Sequence, residues 1–152
     1  MVVGFDADGT AAVQADGSAP AVTDLPPSVG ASLVDIWRSD AVPLTAAGTD
    51  DPTDAPFALM PNGSLFRVID LEPGDHEPMW HQTASVDFNL VESGTIRLLI
   101  GDENDPTHVD LVAGDTIVVR GVRHAWQNLG SVPCRLVCTS IAATLPDDDP
   151  PT

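Results

Sequence analysis

Apolar and polar positions alternate in short runs over most of the chain, and no stretch sustains the three-to-four residue period of an amphipathic helix. Runs rich in Val, Ile, Leu and Phe recur between turn signals such as PGDHEP, ESG, GDENDP, AGD and LGS. They predict strands at 64–71, 79–83, 86–91, 95–100, 107–112, 115–120, 124–129 and 133–142. Earlier in the chain, shorter runs at 2–5 and 11–14 flank Asp8-Gly9, a hairpin turn, and 31–38 is a third candidate strand. Strands at this spacing, with no helix, predict an all-β sandwich or barrel.

Prolines divide the chain. Residues 1–61 hold seven of the fourteen prolines and predict an N-terminal arm with loops, including a loop over 46–56. Residues 62–145 predict a β-barrel, and 146–152 a flexible tail.

Composition narrows the chemistry. The 152 residues carry a net charge of −17, from 23 acids and six bases, all six being arginine. Without lysine there is no Schiff-base enzyme and no P-loop lysine. A surface this negative, with scattered arginines, predicts no nucleic-acid and no anionic-membrane partner. The first residues show neither a basic nor a long apolar segment, and no apolar run approaches the about 18 residues of a membrane span. The expectation is a cytoplasmic protein. Aspartate surplus and missing lysine fit adaptation to high salt as well as a GC-rich genome. Cys134 and Cys138 fall on one predicted strand, about 13 Å apart. That exceeds the about 7 Å limit of a disulfide, so both read as small buried residues.

Candidate chemistry lies in two segments. In MWHQTASVDFNLVESG, strand alternation puts His81 with Thr83, and Asp87 with Asn89 opposite Val86, Phe88 and Leu90. A polar row opposite an apolar row is expected where one face lines a cavity holding something polar. In GDTIVVRGVRHAWQN, Gly121 breaks a strand, and His124, Trp126 and Asn128 then share a face.

These two segments resemble the paired motifs of the cupins, small jelly-roll β-barrels. Gly74, His81, Asp87 and Gly94 fall at the glycine, first-histidine, carboxylate and closing-glycine places of the first motif. Gly114, Gly121, His124 and Asn128 fall at the corresponding places of the second. Thr83 stands where the second histidine of the first motif belongs, Asp87 replaces a glutamate, and Val119 replaces a proline. The resemblance implies a cupin jelly-roll barrel with an N-terminal β arm, a homodimer, and a small-molecule ligand. It further implies a metal-dependent enzyme of the oxygenase, decarboxylase or isomerase class, acting on a small carboxylate or oxygenated organic substrate.

In that reading His81, Asp87 and His124 are both the catalytic residues and the ligands of a divalent metal. Two histidines and one carboxylate suit Fe(II), with Zn²⁺ or Mn²⁺ as alternatives. The same three groups also suit a metal-free lyase, dehydratase or isomerase working by proton transfer. A third reading is a barrel that binds a small molecule without chemistry. Thr83, Asn89, Trp126, Arg67 and Arg120 are the candidate substrate-binding residues. Trp126 would stack on a planar ligand, and an arginine facing the cavity would hold a carboxylate. His76 reads as a turn residue and His108 as solvated.

Overall fold

The computed structural model describes residues 1–19, 21–43, 46 and 62–146. The predicted loop at 46–56, apart from Ala46, and the tail after Pro146 lie outside the described residues. Eleven strands are present among the described residues: β1 Val2–Phe5, β2 Ala11–Ala15, β3 Ala21–Asp24, β4 Ala31–Ser39, β5 Ser64–Leu71, β6 Ser85–Ser93, β7 Thr95–Ile100, β8 Thr107–Val112, β9 Thr116–Arg120, β10 His124–Gln127 and β11 Cys134–Ala142. All named pairings are antiparallel. A six-stranded sheet runs β3-β4-β5-β11-β6-β9, and a three-stranded sheet runs β10-β7-β8. The fold is the all-β jelly-roll barrel expected from the alternation.

The strand ladder decides what each face holds. Asp87 lies opposite Ser140 on β11 and Val119 on β9, and Asn89 lies opposite Cys138 and Ile117. On β6, residues 85, 87, 89 and 91 point inward and are buried, while Phe88 and Leu90 are exposed. A hydrophobic plug of Leu71, Val91, Ile96, Leu111, Cys134 and Leu136 fills one end of the barrel, with Ile69, Ile117 and Trp126 packed against it. Burying such side chains contributes roughly 1.5–3 kcal/mol each, so this end anchors the fold and leaves the other free to be polar.

Glycine shapes the turn between β6 and β7. Gly94 has φ +78°, and a Cβ there would stand 2.7 Å from the Pro133 carbonyl oxygen. A side chain at this position would be strained and would clash. The physical requirement explains why the chain closes its first motif on glycine. In the next turn the Asp115 carboxylate accepts from the Val112 amide at 2.9 Å, which fixes the β8–β9 reversal.

Two boundaries differ from the sequence expectation. The division at residue 61 put β3 and β4 in the arm, but both belong to the barrel sheet. β4 pairs with β5 from Ala31↔Leu71 to Ser39↔Ser64. The arm that remains is the β1–β2 hairpin, which among the described residues pairs with no other strand and exposes Val3, Phe5 and Val13. The predicted strand 79–83 is reduced to a single bridge between His81 and His124, because Pro78 and the preceding turn leave only one residue in register.

Candidate active site

The site is built around that bridge. The His81 amide donates to the His124 carbonyl at 2.9 Å, and the His124 amide donates back to the His81 carbonyl at 2.9 Å. Cross-strand partners carry their side chains on the same face, so the two imidazoles stand side by side, with ring centroids 4.3 Å apart and planes tilted by 54°. Each ring is held the same way. His81 Nδ1 lies 2.9 Å from the Met79 carbonyl oxygen, and His124 Nδ1 lies 2.8 Å from that of Val122. A carbonyl only accepts, so each Nδ1 carries the proton and donates. In the neutral rings, Nε2 is then the basic nitrogen available to the cavity that both residues line.

Burial lowers the pKa of His124, and neighbouring His81 lowers it further; the Val122 carbonyl and the Asp87 carboxylate oppose the shift. The net result keeps His124 neutral at pH 7, the form that accepts a proton or binds a metal. Trp126 meets the His124 ring edge-on at 6.0 Å between centroids.

Asp87 belongs to a separate polar row. Ser85 donates its hydroxyl proton to Asp87 Oδ1 at 2.7 Å, and the Ser85 oxygen lies 2.8 Å from Thr83 Oγ1. Thr83, Ser85, Asp87 and Asn89 all line the cavity. Ser85 is the member that sequence reasoning missed. The period-two count from His81 through Asn89 includes it, but residues 84–85 read as a turn.

A metal fits this arrangement in part. The two histidines, with Nδ1 fixed and Nε2 presented, are oriented as metal-binding histidines usually are. The set of two histidines and Asp87 is not assembled as a cage: among the described residues, no three His, Cys, Asp or Glu side chains converge closely enough to hold an ion.

The cavity also has an apolar wall, from Leu33 on β4, Leu65 and Ile69 on β5, and Leu25 and Val29 in the loop between β3 and β4. Its enclosed space is about 80 Å³, smaller than a ligand pocket of roughly 300–1,000 Å³, and it opens to solvent at its mouth. Arg67 lines this cavity too, but in a buried pair with Asp35. Its Nε donates to Asp35 Oδ1 at 2.5 Å, and Nη2 to Oδ2 at 3.1 Å. The side chains are only 4% and 6% exposed.

The other predicted residues separate. Thr83, Asn89 and Trp126 line the cavity. Arg120 does not: strand parity turns Val119 inward, so Arg120 lies exposed on the outer face opposite Val86. Asn128 is buried in a turn, where its amide donates to the Leu71 and Val132 carbonyls and its Oδ1 accepts from the Gly130 amide. Its role is to fix the β10–β11 connection. His76 is half-buried, and its ring packs where a Gly30 Cβ would be. His108 is exposed. Cys134 and Cys138 are free and buried, and burial pushes the Cys134 thiol up to about 11 and the Cys138 thiol in the same direction. Neither is an activated nucleophile.

An antiparallel jelly roll with a histidine pair inside its barrel defines a class, and the sequence comparison agrees. Residues 67–140 match the family model described as a cupin domain, and this segment is a cupin domain. The chain is similar to oryzines biosynthesis cluster protein J of Aspergillus oryzae, 37% identical over 79 residues, covering 52% of this chain and 42% of that protein. It is also similar to phomopsin biosynthesis cluster protein D of Diaporthe leptostromiformis, 36% identical over 73 residues, covering 48% and 36%. The matched region is thus less than half the length of either relative. Among solved structures, the fold resembles Fe(II)-HppE crystallised with the alternative substrate (S)-1-HPP, with a TM-score of 0.60 at 16% identity, over 92% of this chain and 64% of that one. It also resembles the hydroxypropylphosphonic acid epoxidase from S. wedmorenis in complex with fosfomycin, with a TM-score of 0.59 at 18% identity, over 90% and 61%. At such identities the likeness concerns the fold. Among the described residues, no helix is long and apolar enough to cross a membrane.

Proposed function

We propose that the protein is a small-molecule enzyme whose reaction takes place at the His81–His124 pair, with a divalent metal held by the two Nε2 atoms and Asp87 as the nearest carboxylate. The observation that carries this reading is the matched fixing of both Nδ1 atoms by backbone carbonyls. It leaves two Nε2 atoms side by side, both presented to one cavity. The likeness of the fold to an Fe(II) enzyme, HppE, supports it. A bound metal would supply Lewis acidity toward a substrate oxygen. The chain's own part is to keep both imidazoles in one tautomer, to orient Asp87 through Ser85, and to exclude water with the apolar wall. Metal analysis of protein purified without chelators tests it. About one divalent ion per chain is expected, falling below about one in ten in His81→Ala and His124→Ala; a wild-type content already below one in ten defeats it.

A second reading is favoured by one observation, the lack of a three-donor cage. In it His124 and Asp87 move protons on a bound substrate without a metal, as in a lyase or isomerase. Full turnover in metal-free protein would select it. The reading extends to a homodimer in the cytoplasm. It is supported by the β1–β2 hairpin, which carries an exposed apolar face and has no strand neighbour, since an isolated hairpin is marginally stable in water.

A further inference from the structure

We infer that the ligand of this cavity has a single polar head, which meets the histidines, and an uncharged hydrocarbon body lying on the wall formed by β4, β5 and the β3–β4 loop; this rests on the proposed site at His81 and His124. The cavity is divided by strand order. Most of its polar groups come from β6, from residues 81–83 and from His124, with Cys138 and Ser140 of β11 beside them, while Leu33, Leu65, Ile69, Leu25 and Val29 come from β4, β5 and the β3–β4 loop, with Arg67 among them on β5. β4 and β6 are three strand spacings apart, about 14 Å, so the two surfaces meet opposite ends of one ligand.

Arg67 is the residue that would argue for a second anionic group. Among the described residues it is the only arginine lining the cavity. Asp35, which does not line the cavity, holds it through two of its nitrogens in a bidentate pair. The pair is neutral as a unit, so a ligand carboxylate arriving beside it would be taken out of water with no net positive charge to receive it. The carboxylate expected from the sequence is therefore excluded from the body of the ligand, and dicarboxylates are excluded with it.

The test uses two series with the same head. Pentan-2-one, heptan-2-one and nonan-2-one are titrated by calorimetry against metal-assayed protein, beside 4-oxopentanoate, 6-oxoheptanoate and 8-oxononanoate, which add a carboxylate at the far end. Affinity should rise roughly two- to fourfold per methylene in the ketone series. The far carboxylate should weaken binding by roughly 30-fold or more at the longest length. Asp35→Asn, which removes the carboxylate paired with Arg67, should draw the two nine-carbon probes to within about threefold of each other. Should that variant fail to fold, Val29→Ser serves instead: it should weaken nonan-2-one while leaving pentan-2-one unchanged. A flat length series, a preference for the keto acids in the wild type, or no binding in either series overturns the inference. Metal content is measured on the same samples, so absence of metal with an intact length series would defeat the metal reading alone.

Discussion

The two faces of β6 have opposite chemistry, and the usual order is reversed. Ser85, Asp87 and Asn89 point into the barrel, whereas Phe88 and Leu90 point out of it, 47% and 38% exposed. The outward row continues across the sheet as Phe66, Thr139, Phe88 and Val118, and the inward row beside it as Arg67, Cys138, Asn89 and Ile117. Two residues farther along, at Val91, the inward side chain becomes part of the apolar plug. One strand therefore serves both halves of the barrel, with the change from site to core falling between Asn89 and Val91. An inward polar row is tolerated when every member has a partner, and no buried side-chain N or O among the described residues lacks one.

This contrast can be broken at points of decreasing leverage. Removing either histidine should have the largest effect, with metal content lost and turnover reduced by about 10²–10⁴-fold, read by single-turnover kinetics once a substrate is in hand. Next, Asp35→Asn removes the buried carboxylate paired with Arg67 and should lower folding stability by about 3–5 kcal/mol in urea titration. The double change Asp35→Leu with Arg67→Met should restore most of that loss, whereas equal loss in both variants would deny the pair its role. On the outer face, Phe88→Asp and, in the hairpin, Phe5→Asp should each leave folding stability within about 1 kcal/mol. At least one of the two should reduce the solution mass from two chains to one. A wild-type mass of one chain would refute the dimer.

The smallest effect is in pH dependence. His124 has a folded pKa below its unfolded value of about 6.5, so the unfolded chain binds the proton more readily. Its contribution to stability is complete above about pH 6.5 and falls as pH drops from there toward the folded value. Metal-free His124→Gln should show a flatter stability profile than metal-free wild type over that window.

Much of this was legible in the sequence, for identifiable reasons. Period-two alternation separated Asp87 and Asn89 from Phe88 and Leu90, and the resemblance to the paired cupin motifs put His81 and His124 at their histidine places. What alternation leaves undetermined is the global placement of a face. Arg120 was a candidate because it lies on a predicted strand, where an arginine facing the cavity would hold a carboxylate. The register Val86↔Arg120 turns it outward. Asp35 was invisible as a partner because 32 residues separate it from Arg67, and the pair forms only when β4 and β5 align. Ser85 was missed because a turn was read across the start of β6. Each miss depends on strand register, which long-range pairing sets and local pattern does not.

The paired hydrogen bonds between His81 and His124 carry one more consequence. The two residues hold each other through their own backbone amides, so exchange of those hydrogens with deuterated solvent requires the same opening that parts the imidazoles. Their protection, read residue by residue, is an internal gauge of site assembly. Occupancy by any ligand that clasps both rings should slow both exchange rates together, whatever that ligand is.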